Sequence, residues 1–305
     1  MSASSLSSWE SCEHKYFIKY ILNIPDTVGP AAFVGTTVHK VLECLALCHK
    51  NKVIFIDEEI GPINFTDYKC QTFIDSLINI SFNHYNLKSN NILDKSHLKD
   101  CIKLVNKTLT FKNGLYNPTN LNIVDAEQMF ELELNTSWCK DLKLRGVIDL
   151  VTSPADNIIE IIDYKSGRRF DWNAKKEKNF DNLVNDLQLQ IYFYAAKKLY
   201  PHINNFVVTI IYIKDGGPIS IPFGNITLEK LEARLELLFH EISRCELPRL
   251  LSPTQSGFMC SKLCHFAKTK YPGSDKSICA FFHDKVVELG LNEADRIYAK
   301  PREKR

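Results

Sequence analysis

The chain has 305 residues, 45% of them hydrophobic, with a formal net charge of +2 and a pI near 8.0. That suffices for a sizeable core in one large or two modest domains, and it excludes a uniformly basic nucleic-acid binder, so any such surface has to be a local patch. No run of eighteen apolar residues and no basic segment leading into an apolar stretch occurs, so neither a membrane span nor a secretory signal is expected. The ten cysteines then belong to a reducing compartment, the cytoplasm, where clustered thiols more often ligate metal than form disulfides.

Ser2–Leu22 reads as a helix capped by its leading serines, with Leu6, Trp9, Tyr16 and Tyr20 at roughly helical spacing and Cys12 in its middle. Gly35–Lys50 is the next helix. Val38, Val41, Leu42 and Leu45 form its stripe, and His39 and Glu43, four apart, can face one neighbour. Phe65–Leu87 and Leu93–Thr110 are two further helices without evident chemistry, forming a helical insertion over residues 51–120. Ala126–Thr136 alternates apolar residues with Glu127, Glu131 and Glu133, which predicts the first strand of a sheet.

Two strands carry the chemistry. Leu142–Val151 brings Asp149 out of an apolar run, and Asn157–Gly167 ends in Asp163-Tyr164-Lys165-Ser166-Gly167. Side chains alternate along a strand, so Asp163 and Lys165 point one way and Tyr164 the other. The turn Ser153–Asn157 predicts a hairpin that brings Asp149 near both. A carboxylate beside an ammonium at a strand end is either a structural ion pair or half of a metal-dependent phosphodiester-cleaving site. Two carboxylates that both stay ionised in a partly buried place need a cation, and oxygen ligation suits Mg²⁺ or Mn²⁺.

Arg168, Arg169, Lys175, Lys176 and Lys178 follow, as a solvated loop or as a phosphate contact. Asp181–Leu199 is an amphipathic helix in which Gln188 and Tyr192, four apart, can orient a ligand or bond one another. Phe206–Lys214 and Ile219–Phe223 form a closing strand pair around Asp215–Gly217. Thr227–Cys245 is a long helix with an imperfect capping box at Thr227. Cys260, Cys264, His265 and Cys279 lie in the C-terminal segment 246–305, which ends in the basic tail Lys300–Arg305.

Taken in order, these segments resemble the RecB-type branch of the PD-(D/E)XK nuclease superfamily. Ser2-Ala-Ser-Ser-Leu…Cys12…Tyr16-Phe17…Tyr20 is similar to its N-terminal Ser-x-Ser…Cys…Tyr segment, and Gly35…His39 to its Gly-x-x-x-His helix. Gly146-Val-Ile-Asp149, Asp163-Tyr-Lys165-Ser-Gly and Gln188…Tyr192 resemble its Gly-x-Ile-Asp, Asp-Tyr-Lys-Thr-Gly and Gln-x-x-x-Tyr motifs. The resemblance implies one α/β domain over 1–305, a central mixed sheet flanked by helices. It implies His39, Asp149, Asp163 and Tyr164 as holders of one or two Mg²⁺ or Mn²⁺ ions, and Lys165 polarising the scissile phosphate or orienting water. It also implies DNA positioning by Gln188 and Tyr192, with Arg168 and Arg169 beside them.

The implied activity is metal-dependent DNA exonuclease action on single strands or duplex ends, in recombination, repair, phage DNA processing or CRISPR adaptation. A structure-specific endonuclease and a non-catalytic DNA-binding subunit are the alternatives on this fold, although degenerate members usually lose an Asp or the Lys. The resemblance also implies a [4Fe–4S] cluster on Cys12, Cys260, Cys264 and Cys279, stapling the C-terminal segment to the N-terminal helix. Fourteen residues separate Cys264 from Cys279, a wider gap than is usual there, so a zinc site of four cysteines, or three with His265, is the alternative. No Gly-x-x-x-x-Gly-Lys-Ser/Thr pattern occurs, so a helicase, like any other recombination or adaptation protein, is expected as a separate partner of a stand-alone nuclease in the cytoplasm, the host's if phage-encoded.

Overall fold

The computed structural model describes residues 1–301 except 53–55, 58, 63–66, 135–141, 172–175, 216 and 252–256. Residues 65 and 66 of a predicted helix, Thr136, Lys175, Gly216 and the tail 302–305 lie outside the described residues.

Five strands form one mixed sheet in chain order: β1 (Ile123–Glu133), β2 (Lys143–Thr152), β3 (Ile158–Lys165), β4 (Asn205–Tyr212) and β5 (Gly217–Phe223). All pairs are antiparallel except β3–β4, whose parallel pairing requires a crossover. That crossover is α6 (Phe180–Val184) and α7 (Leu187–Leu199). The central strands β3 and β4 carry Ile or Val at successive positions (Ile158-Ile159, Ile161-Ile162, Val207-Val208, Ile210-Ile211) because helices cover both faces.

On one face α1 (Ala3–Ser11), α7 and α8 (Asn225–Ser243) bury Leu6, Trp9, Ile191, Phe193 and Leu235 against Ile148, Ile161 and Val208. On the other, α3 (Pro30–Asn51), α4 (Gln71–Lys88) and α5 (Lys95–Thr110) bury Val38, Val41, Leu45, Phe73 and Leu104 against Leu150, Ile162 and Ile211. Helix α3 is long and apolar enough to cross a membrane by length and composition, but its apolar stripe is spent on these contacts.

Several predicted helices are revised: α3 begins at Pro30, ahead of the predicted Gly35, and α4 at Gln71, after the predicted Phe65. The serine cap holds, with Ser2 and Ser5 forming a reciprocal capping box, but the first helix stops at Cys12. The Cys12 backbone is extended, with φ −166°, and its Sγ accepts the Lys15 N–H as the chain restarts in α2 (Glu13–Tyr16) and a π turn at Phe17–Ile21. One straight helix cannot serve two cores. Leu6 and Trp9 pack on the sheet, whereas Phe17, Ile18 and Leu22 enter a separate cluster with Phe266, Ile278, Cys279 and Phe282. Those last residues come from the chain's other end, in α9 (His265–Lys268) and α10 (Ile278–Leu289). The helix predicted over Asp181–Leu199 is likewise broken at Asn185, with Asp186 capping α7 through the Gln188 N–H. Helix α8 begins at Asn225 after Gly224, two residues before the predicted Thr227 cap.

Candidate active site

Strands β2 and β3 pair only where Leu150, Val151 and Thr152 meet Ile162, Ile161 and Glu160. Beyond that the two strands part. The Tyr164 N–H donates to Asp149 Oδ2 at 3.2 Å instead of to a neighbouring carbonyl. The free edge of β2 is taken up by the N-terminus: Arg145 N–H donates to the Met1 carbonyl at 2.7 Å, and the Met1 ammonium to the Lys143 carbonyl at 2.6 Å.

Alternation along β3 does what the sequence predicts. Lys165 Nζ lies 2.9 Å from Asp163 Oδ1 and 2.8 Å from Oδ2, and Asp163 is only 1% exposed. Tyr164 points the other way, and its hydroxyl donates to the Tyr116 carbonyl at 3.0 Å. Its phenol is thus committed elsewhere, leaving its backbone at the site.

His39 reaches the fork from α3, with Nδ1 3.2 Å from Asp149 Oδ2. Gly35, one turn earlier, permits that approach: a Cβ there would stand 2.7 Å from Ser166 Oγ, beside Lys165. From the opposite face, Gln188 Oε1 accepts from Lys165 Nζ at 3.2 Å while its Nε2 donates to the Tyr192 hydroxyl at 2.7 Å. The pair expected either to orient a ligand or to bond one another does bond together, and it grips the lysine as well.

The charges of these groups are interdependent. Burial pushes Asp149 up, but His39, Lys165 and the Tyr164 N–H outweigh it and hold the carboxyl below its usual range. Burial also pushes Asp163 up, and there the Asp149 charge tips the balance against Lys165, leaving it raised. Burial opposes charge on Lys165, yet Asp163 and Asp149 keep its pKa above the ordinary value. His39 behaves alike: burial lowers it, and Asp149 more than restores it. Two buried carboxylates this close repel one another when both are ionised, and a bound cation relieves that repulsion.

Two further acids enter this place. An open cleft of about 230 Å³ is lined by His39, Glu43, Glu127, Asp149 and Tyr164, among others. Glu43 was visible in sequence as the residue four beyond His39. Glu127 was not separable from Glu131 and Glu133 on the same strand, yet Glu131 pairs at the surface with Lys143 and Arg145. The β1–β2 register, Ala126 with Leu150 and Gln128 with Ile148, sets Glu127 opposite Asp149.

As they stand, these side chains are drawn into ion pairs, His39 with Asp149 and Lys165 with Asp163. Among the described residues no three His, Cys, Asp or Glu side chains form a ready ligand cluster. The donor set itself, carboxylates and one imidazole around a buried Asp163, fits a hard divalent cation.

Of the basic residues that follow, Arg168 is exposed. Arg169 pairs with Glu177 at 2.7 Å within the ribbon formed by Phe170–Asp171 and Lys176–Glu177, and Lys178 pairs with Asp186 at 3.3 Å. At the chain ends, Cys260 and Cys264 act electrostatically on both Cys12 and Cys279. Burial, with the other three thiols, pushes Cys279 up to about 12. His265 Nδ1 is bonded to Thr27 and Thr269.

Comparison with known proteins places the chain in a family. Residues 1–266 match the family model of the PD-(D/E)XK nuclease superfamily. The chain is 25% identical over 220 residues to a component of the ATP-dependent helicase/deoxyribonuclease of Streptococcus pyogenes serotype M1, and equally to that of serotype M49, strain NZ131. Each match covers 70% of this chain but only 18% of the relative. A crystal structure of a candidate exonuclease from Eubacterium rectale superposes with a TM-score of 0.49 at 13% identity, covering 83% of this chain and 89% of the other. The chain belongs to the PD-(D/E)XK nuclease superfamily, and its motifs are those of the RecB-like branch.

Proposed function

We propose that the protein is a divalent-cation-dependent deoxyribonuclease, an exonuclease acting on single strands or duplex ends. The observation that carries this reading is the convergence of Asp149, Asp163 and Lys165 at the fork of β2 and β3, with His39 delivered by α3. Asp149, Asp163 and His39, with the Tyr164 backbone, would hold Mg²⁺ or Mn²⁺. When bound, such an ion lowers the pKa of water and offsets charge on phosphoryl oxygens. Lys165 supplies a fixed positive charge for the scissile phosphate, kept protonated by the two aspartates and aimed by the Gln188–Tyr192 pair. Exposed Arg168, three residues on, suits a backbone phosphate.

DNA as substrate and a helicase as partner are supported by the Streptococcus relatives, helicase/deoxyribonuclease components by name. Recombination, repair, phage DNA processing or CRISPR adaptation, in the cytoplasm, is the corresponding setting. The test is incubation of purified protein with end-labelled linear and closed circular single-stranded DNA, with Mg²⁺ or Mn²⁺. Degradation of the linear form alone supports the proposal. Cutting of the circle makes the enzyme an endonuclease, and binding without cleavage makes it a non-catalytic DNA-binding protein.

We further propose that Cys12, Cys260, Cys264 and Cys279 hold one structural centre, a [4Fe–4S] cluster in preference to zinc. The influence of Cys260 and Cys264 on both Cys12 and Cys279 supports it, as does the apolar cluster that already packs the two chain ends together. Protein prepared anaerobically should contain iron and absorb broadly near the blue edge of the visible. Zinc without colour selects the alternative, and absence of both metals, with Cys12→Ser as stable as the parent, removes the centre.

A further inference from the structure

Of the two extra acids in the cleft, the surroundings divide the roles. Glu43 Oε2 takes the Lys40 ammonium at 2.7 Å, both side chains being 12% exposed. Lys40 is itself shared with Glu59 at 3.1 Å. Glu59 in turn accepts from the Tyr85 hydroxyl at 2.8 Å and from Lys88 at 2.6 Å, which fastens the chain Glu43–Lys40–Glu59 to α4. The charge of Glu43 is therefore met by protein.

Glu127 is placed differently. Its backbone is left-handed, φ 49°, within a strand, where a glutamate gains nothing locally from that conformation. The turn of the chain sends a half-buried carboxylate into the cleft opposite Asp149. Among the described residues it has no hydrogen bond and no ion pair, although the other acids of the cleft each have a cationic or imidazole partner. Carboxylates crowded into a partly buried cleft repel one another, and a divalent cation shared between them offsets that repulsion.

We propose that Glu127 is a further ligand of the divalent cation held by His39, Asp149 and Asp163, approaching from β1 on the side of the cleft away from Lys165. This rests on the cation-dependent reading above and adds a residue to it. The strained backbone is then the device that turns one of three strand glutamates inward, and the pair with Lys40, itself tied to Glu59, keeps Glu43 from competing for the ion.

The test measures Mn²⁺ binding to the whole protein by titration calorimetry, for the wild type, Glu127→Gln and Asp149→Asn, with melting in EDTA as the control for folding. Glu127→Gln should bind Mn²⁺ at least about tenfold more weakly while melting in EDTA no lower than the wild type. Should it melt lower, Glu127→Asn, which a left-handed backbone accommodates more readily, takes its place with the same readouts. Wild-type affinity in the Glu127 variant, with binding lost in Asp149→Asn, overturns this inference alone. Wild-type affinity in both overturns the cation site itself.

Discussion

Gly146→Ala tests whether the fork is held by packing. Gly146 lies directly across from Phe130 in the β1–β2 ladder, and the ring covers the glycine. A Cβ at Gly146 would stand 2.7 Å from Phe130 Cε1 and nearer still to Cζ, roughly 1 Å inside the 3.5–4.0 Å that carbon atoms prefer. Phe130 is 6% exposed and packed in the sheet–α1–α7 core, so moving its ring disturbs that packing. Where the ring does not yield, the strand carrying Gly146 must give, and Asp149 lies three residues on. Overpacking of this kind costs about 1–3 kcal/mol, against which the lower chain entropy of alanine returns about 0.5–1 kcal/mol. A shift of about 1 Å at Asp149 would also lower cleavage by roughly 10²-fold.

The assay is urea unfolding together with a single-turnover cleavage rate, for Gly146→Ala, Phe130→Leu and the double variant. Alanine at 146 should be destabilising alone and nearly neutral beside leucine at 130, with a coupling of about 1 kcal/mol or more. Additive effects, or a single variant with wild-type stability and rate, would show that the ring does not set the strand.

Lys165→Ala, Asp149→Ala and Asp163→Ala should each slow cleavage by roughly 10³-fold or more, about 4 kcal/mol of transition-state stabilisation, with the fold retained by circular dichroism. Near wild-type cleavage by Lys165→Ala would remove the lysine from the mechanism. Arg168→Ala should flatten the salt dependence of single-strand binding by up to ~0.7 log unit, while Arg169→Ala, whose charge is met by Glu177, should change it less; equal slopes for both would refute the distinction. Glu59→Gln tests the tie to α4. Burial resists ionisation of Glu59, but Lys88, Tyr85 and Lys40 hold its carboxyl down to about 2. A depressed carboxyl adds stability that is present above its unfolded value and lost as pH falls towards 2. The substitution should therefore cost about 1 kcal/mol at pH 7, after discount for solvent screening, and less with each step below pH 4.5. A cost independent of pH would assign it to packing alone.

Local pattern was enough to place the side chains of the central motif. The two-residue period of β3 put Asp163 and Lys165 on one side and Tyr164 on the other, the short turn forced β2 alongside, and the helical period put His39 and Glu43 together. These are short-range regularities, so residue order carries them. What depended on register and long-range approach was not legible. Three glutamates alternate on β1, and only the pairing with β2 and the left-handed turn at Glu127 separate the one in the cleft from the surface pair of Glu131. The break at Cys12 follows from two cores that a single helix cannot face, and the break at Asn185 sets the start of α7, from which Gln188 reaches Lys165. Arg169 looked as free as Arg168 until the ribbon returned Glu177 to it. In each case the deciding partner lies on another element, or on the far side of a turn, and its distance is set only when the chain has folded.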